Sequence, residues 1–241
     1  MIKLKKLNSF LISAFFVSLH YKKKHMDKEI NNNGFDYVDL GLPSGTLWAT
    51  CNVGASKPSD FGLYFQWGDT VGYTKDQIGY DEGKKKFIYD DYKWYLSGSQ
   101  YDGSIGFKKY TIPGAALALE DDAAHVNMNG DWHMPTPNQF QELIDNTIKE
   151  CATFDDVTGM LFTSKKDISK FIFIPAAGYV WGGDICNIDD LACSAGDGNV
   201  WTSMLSNEYV HNGMTFEFDY FYANLRFESR GSGLSVRGVI G

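Results

Sequence analysis

Cysteine is scarce in this 241-residue chain: Cys51, Cys151, Cys186 and Cys193 are its four copies, and no two form a C-x-x-C pair. That excludes a disulfide-dense scaffold and leaves a zinc ribbon or a thioredoxin-like site without support. The count permits two bridges, Cys186 with Cys193 across a small loop and Cys51 with Cys151 across a large one. It equally permits four reduced, mostly buried thiols. Long apolar runs are missing too. The stretch Phe10–Leu19 is about half of what a helix needs to cross a bilayer, so no membrane span is expected. No G-x-S-x-G elbow marks a nucleophile, and the five histidines (His20, His25, His125, His133, His211) show no H-x-x-x-H spacing. A lone histidine is more often a hydrogen-bonding scaffold residue. Adjacent acids occur as Asp121–Asp122, Asp155–Asp156 and Asp189–Asp190, but such pairs are usually solvated turn or helix-start residues, and nothing ties them to general acid/base work. Repeats and proline-rich linkers are absent, which favours one domain.

What the chain has is aromatic residues and glycine. Aromatics are 15% of it and glycines number 25, a balance that favours a turn-rich, sheet-containing fold over a helical bundle. The formal charge is -8, yet six lysines and no acid lie in the first 25 residues, so the remainder is more acidic still. Phosphate backbones would be repelled by that body, and nucleic acid is not expected as a partner.

Lys3, Lys5 and Lys6 before Phe10–Leu19 have the form of a secretory signal, which would place the protein outside the cell or on its surface. No A-x-A-like site follows, and Lys22, Lys23 and Lys24 stand where a translocated segment avoids charge. The alternative is translation from Met26, which implies a cytoplasmic or phage-associated protein. Residues 1–36, ending in the Asn-rich stretch, are therefore read as a leader or flexible segment, and 37–241 as the domain.

Tyr37–Leu40 and Thr46–Thr50 predict two strands of a hairpin around a Pro-Ser-Gly turn, and Tyr64–Gly68 a further strand. Residues 74–111 lack clear periodicity and predict a long excursion with little regular structure. One helix is expected over roughly Ala115–Met128. A second follows Thr136, with Thr136 as N-cap, Pro137 in the first position, Gln139 completing a capping box, and Phe140, Leu143, Ile144 and Thr147 or Ile148 on one face. Phe171–Ile174, Val200–Ser203 and Leu234–Ile240 read as strands. Met214, Phe216 and Phe218 alternate with Thr215, Glu217 and Asp219, which predicts one buried and one wet face. Trp132 and Met134, after the Gly130-Asp131 turn, are expected in the core.

Taken together, Val38–Ala55, Tyr64–Gly68, Glu120–Asn127, Gly130–Thr136, Ile174–Tyr179 and Ser235–Val239 resemble the FISUMP modules (the Fibrobacter succinogenes major paralogous domain) common in gut Bacteroidetes. The resemblance covers nearly everything from Tyr37 onward except the 74–111 excursion and the region around 180–200. Gly238 departs from it, standing where the family usually has proline. It implies an α+β, C-type lectin-like fold with two helices and small, mainly antiparallel sheets, related to the sulfatase-modifying factors. Formylglycine-generating relatives hold copper with a cysteine pair near the C-terminus, and this chain has no cysteine after Cys193. The calcium-site strings of animal lectins, Glu-Pro-Asn or Gln-Pro-Asp with Trp-Asn-Asp, are absent as well. No catalytic residue, metal or cofactor is therefore expected.

The same fold carries retroelement-diversified proteins, whose variable positions line the last strands before a Ser-Val-Arg-like end. Adenine-directed mutation of Asn codons yields Asp, Tyr, Phe, Ala, Asn, Leu, Arg and similar residues, and Asp219–Phe227 draws wholly on that set, whereas Glu208, Met214, Glu217 and Glu228 fall outside it. Tyr, Phe, Asn and Arg side chains also suit contact surfaces. The expected patch is Asn207, Tyr209, His211, Asp219, Tyr220, Phe221, Tyr222, Asn224, Arg226 and Phe227. The expected function is non-catalytic recognition of a protein or glycan on another cell or surface. The alternatives are a formylglycine-generating relative of unknown chemistry and a structural cell-envelope module.

Overall fold

The computed structural model describes residues 29–30, 33–99, 101–186 and 198–241. The leader expected before Asp27, the small Cys186–Cys193 loop and the Asp189–Asp190 pair lie wholly or in part outside the described residues. The chain is α+β; among the described residues there are two α-helices and small sheets in which all strand pairings but one are antiparallel.

β1 (Glu29–Ile30) pairs with β2 (Asp36–Asp39), so the expected flexible segment already joins a sheet at Glu29. The predicted hairpin forms between β2 and β3 (Leu47–Asn52), with Val38 opposite Trp48. In its turn, Gly41 N–H donates to the Asp39 carboxylate at 2.7 Å. The aromatic stretch from Tyr64 is strand only in β4 (Tyr64–Phe65), because Gly68 turns the chain at φ +73°. The excursion holds short 3-10 turns at Lys75–Gln77 and Tyr89–Asp91 and one small hairpin, β5 (Tyr95–Ser97) with β6 (Gly106–Phe107).

The first helix, α1, is shorter than its composition predicts: Ala123–Met128 instead of a start near Ala115. Upstream, Leu117 N–H donates to the Ser203 carbonyl, so those residues follow a strand rather than coil into a helix. Asp122 is the N-cap. Its carboxylate accepts His125 N–H at 2.9 Å and Met134 N–H at 3.0 and 2.8 Å, fixing the segment after the Gly130 turn, where His133 bridges Val239. Both Asp121 and Asp122 are buried, a correction to the solvated pair expected from sequence.

The second helix, α2 (Pro137–Asn146), has the predicted cap, with Gln139 N–H on Thr136 Oγ1 and Thr136 N–H on Gln139 Oε1. It buries Phe140, Leu143 and Ile144 but stops at Asn146, so Thr147 and Ile148, expected to continue its apolar face, belong to the strand that follows. No glycine ends it. Instead Asn146, Thr147 and Lys149 side chains donate to the carbonyls of Glu142, Leu143 and Ile144, satisfying groups the helix leaves open.

Next come β7 (Thr147–Phe154) and β8 (Val157–Ser164), a hairpin that the sequence pattern does not predict. Its turn is Asp155-Asp156, at φ 50° and 65°, the left-handed pair that a two-residue hairpin requires. β9 (Phe171–Pro175) extends this sheet, and β10 (Tyr179–Trp181) forms a separate hairpin with β11 (Asp184–Cys186). β12 (Gly198–Leu205), β13 (Asn212–Phe218) and β14 (Ala223–Ser229) lie side by side in a sheet that continues through β15 (Leu234–Ser235) to β4. β16 (Arg237–Ile240) returns to β3.

Two aromatic cores back these sheets. In one, Phe140 stacks on Phe216 at 4.6 Å and meets Trp48 edge-on at 5.1 Å. In the other, Trp67, Trp132 and Trp201 are fully buried with Met128 and Met134, as the Trp-x-Met reading predicts. Each such ring contributes on the order of 2–3 kcal/mol through burial. The two faces of β13 are less distinct than expected: Thr215, opposite Trp201, is only 1% exposed, whereas Glu217 and Met214 are both half-buried. Cys51, Cys151 and Cys186 are free thiols, so no Cys51–Cys151 bridge closes the large loop.

Candidate recognition surface

The β13–β14 hairpin positions the C-terminal aromatic residues. At its tip the Asp219 carboxylate accepts Phe221 N–H at 2.6 Å and Tyr222 N–H at 2.9 Å, and Asp219 N–H donates to the Tyr222 carbonyl. Asp219 is thereby only 6% exposed and holds the turn from behind, a correction to its expected place on the surface. What the turn lifts outward is Tyr220, 59% exposed, and Phe221, 78% exposed, with ring centres 5.1 Å apart.

Along β14 the register alternates. Ala223 and Leu225 pack on the core beside Phe218 and Phe216, while Asn224 faces Glu217 and Arg226 faces Thr215 across the strand pair. Tyr222 donates its hydroxyl to Glu217 Oε1 at 2.6 Å, and the Arg226 guanidinium lies 5.8 Å over the Tyr222 ring. Asn224 and Arg226 remain exposed.

The remaining expected residues gather at the other end of the hairpin. Tyr209 packs on His211 at 5.4 Å and on Phe227 at 6.3 Å. Asn207 is exposed in the loop before β13. The patch is therefore two clusters, separated along β14 by about 13 Å from Ala223 to Phe227. Cys151 lies beneath the tip, 3.6 Å from the Tyr220 carbonyl, where burial raises its thiol pKa and leaves it protonated.

His211 and Phe227 also border an open groove of about 1070 Å³. Its other lining includes Tyr80, Trp181, Asp184 and Glu228, none of which sequence reasoning selected. Tyr80 lies in the excursion and Trp181 and Asp184 near 180–200, the two regions outside the family resemblance; the density of tyrosines across 73–101 marks the first of these and nothing marks the second. Burial pushes the Glu228 carboxyl above the usual range, Ser229 N–H and the Ser232 hydroxyl pull it back, and the Glu217 charge adds to the rise. Burial lowers the His211 pKa, so its imidazole is neutral at pH 7.

The other two described histidines do scaffold work. His125 Nδ1 bonds the Trp132 carbonyl, and His133 bonds those of Met134 and Gly241. Among the described residues, no cluster of three or more His, Cys, Asp or Glu side chains is arranged to hold a metal ion. No helix among them is long and apolar enough to cross a membrane. The chain matches no family model, no curated protein and no solved structure.

Proposed function

We propose that this protein is a non-catalytic recognition module of the FISUMP, C-type lectin-like kind, secreted or displayed on a cell surface. Its C-terminal hairpin grips a protein or glycan on another cell or surface. The observation that carries the reading is the hairpin tip: Asp219 satisfies the turn internally, so Tyr220 and Phe221 are held out as large apolar contact area. Rigid aromatics of this kind give contact at low entropic cost.

Retroelement diversification agrees with the same pattern. Glu217 and Glu228, outside the mutable set, are partly buried and hydrogen-bonded, whereas Tyr220, Phe221, Asn224, Arg226 and Phe227, within it, are exposed. A near-copy of the 3′ coding end beside a reverse-transcriptase gene would support this origin.

The experiment is a screen of the full chain against glycans, proteins and intact bacterial surfaces, beside a Tyr220→Ala/Tyr222→Ala/Arg226→Ala variant. Loss of binding in the variant is expected, and unchanged binding overturns the patch.

A further inference from the structure

We propose that the groove beside the base of β14 is a binding site for an uncharged glycan, a neutral or N-acetylated pyranose chain. This rests on the recognition reading and gives the chemical class of its ligand.

The groove is built rather than incidental. Tyr89 lies behind it, edge-on to Trp181 at 5.7 Å. The Tyr89 hydroxyl accepts from Ser229 Oγ at 2.7 Å and donates to the His211 carbonyl at 3.2 Å. One side chain therefore ties together the β10–β11 hairpin, the start of β13 and the end of β14, so little ordering remains to be done on binding.

Its lining combines ring faces with unused polar groups. Tyr80 is 63% and Phe227 53% exposed, and Trp181 is partly exposed. Such rings stack on the C–H faces of pyranoses. Asp184 engages one carboxylate oxygen, on the Tyr80 hydroxyl at 2.6 Å, and Glu228 likewise uses only Oε1. Their second oxygens, the Asn212 amide and the His211 ring make no hydrogen bond among the described residues. Acceptors beside a planar amide match the alternating donors and acceptors of vicinal hydroxyls.

Charge and size narrow the occupant. Two carboxylates face one ammonium, Lys86, which disfavours sulfate, phosphate and sialic acid. At about 1070 Å³ and open to solvent, the groove takes a chain rather than one ring.

The test is an array of neutral, N-acetylated, sialylated and sulfated oligosaccharides, probed with the full chain. Binding to the uncharged members is expected, weakened about tenfold by Trp181→Ala and by Glu228→Gln. Asp184→Asn, a conservative change at an exposed position, is expected to weaken binding with an unchanged Tm, which separates recognition from folding. Ile168→Ala, exposed between β8 and β9, serves as the control. Absence of glycan binding, capture of anionic members only, or full binding by Asp184→Asn overturns the proposal. Should cell binding depend on Tyr220 and Phe221 yet survive every groove variant, the glycan groove falls and the recognition surface stands.

Discussion

The guanidinium of Arg230 lies 4.1 Å over the centre of the Phe107 ring. Arg230 is fully buried without a carboxylate partner. Its nitrogens donate to the Tyr92 hydroxyl and to the carbonyls of Lys109, Tyr110 and Val210. The excursion at 74–111, poor in regular structure, is thus tied by this side chain to the C-terminal sheet, beside the Tyr89 bonds to Ser229 and His211. Arg230→Lys cannot reach these acceptors as a planar fork and leaves some of them buried and unpaired. A loss of about 3 kcal/mol in urea unfolding is expected; a loss under about 0.5 kcal/mol, the range of an ordinary surface change, contradicts this role.

The buried Asp121 carboxylate should make the fold acid-sensitive. Burial pushes its pKa up, but Lys109 at 2.5 Å, the Tyr110 hydroxyl at 2.7 Å and Lys93 at 3.2 Å outweigh burial and leave it lowered. A lowered carboxyl contributes stability above its unfolded value, near 3.8, and loses it as pH falls through the folded value. Asp122, raised by burial, runs the opposite way, so the informative quantity is the difference between wild type and Asp121→Asn. Tm measured from pH 6 to pH 2 should show the gap between them shrinking with acid. A constant gap rejects the assignment.

Gly198 has no room for a methyl group. A Cβ there would lie 1.9 Å from the Phe218 ring, whereas at Gly106 the nearest atom would be 3.7 Å away. Gly198→Ala is expected to cost about 1–3 kcal/mol or more through overpacking. Gly106→Ala should be neutral or gain up to about 1 kcal/mol. Denaturant midpoints of the two variants give the comparison, and equal midpoints would refute it.

Removing the Asp219 carboxylate frees the hairpin tip. Asp219→Ala leaves Phe221 and Tyr222 N–H without their acceptor, at a cost of about 1 kcal/mol. Hydrogen exchange at those two amides should accelerate, while α2 amides stay protected. Unchanged exchange at Phe221 would mean that the turn holds itself.

Local chemistry made part of this structure readable. The α2 cap follows from Thr136, Pro137 and Gln139, and the buried Trp132 and Met134 from their alternation after a glycine turn. The β7–β8 hairpin was hidden because its turn is Asp-Asp rather than Asn-Gly and because β8 is covered on both faces, which erases the period of two. For the surface, exposed Tyr220, Phe221 and Arg226 were legible as residue types. The inward role of Asp219 was not, since an aspartate that closes a turn and one that faces a ligand look alike in a sequence. The groove was least legible, since Tyr80, Trp181 and Glu228 meet only through tertiary packing.

The pairing of β16 with β3, Arg237 facing Asn52 and Ile240 facing Leu47, joins residues from opposite ends of the domain. During synthesis the edge of β3 must wait, with its backbone groups unpaired, until almost the whole domain has left the ribosome. Arg237 then bonds the carbonyls of Ala49 and Phe173 and locks two sheets at once. A copy cut short before Arg237 lacks that lock and retains an open strand edge, a substrate for proteases and aggregation. The last strand is thus the piece that closes the edge of β3, so this sheet is complete only in molecules read through to β16.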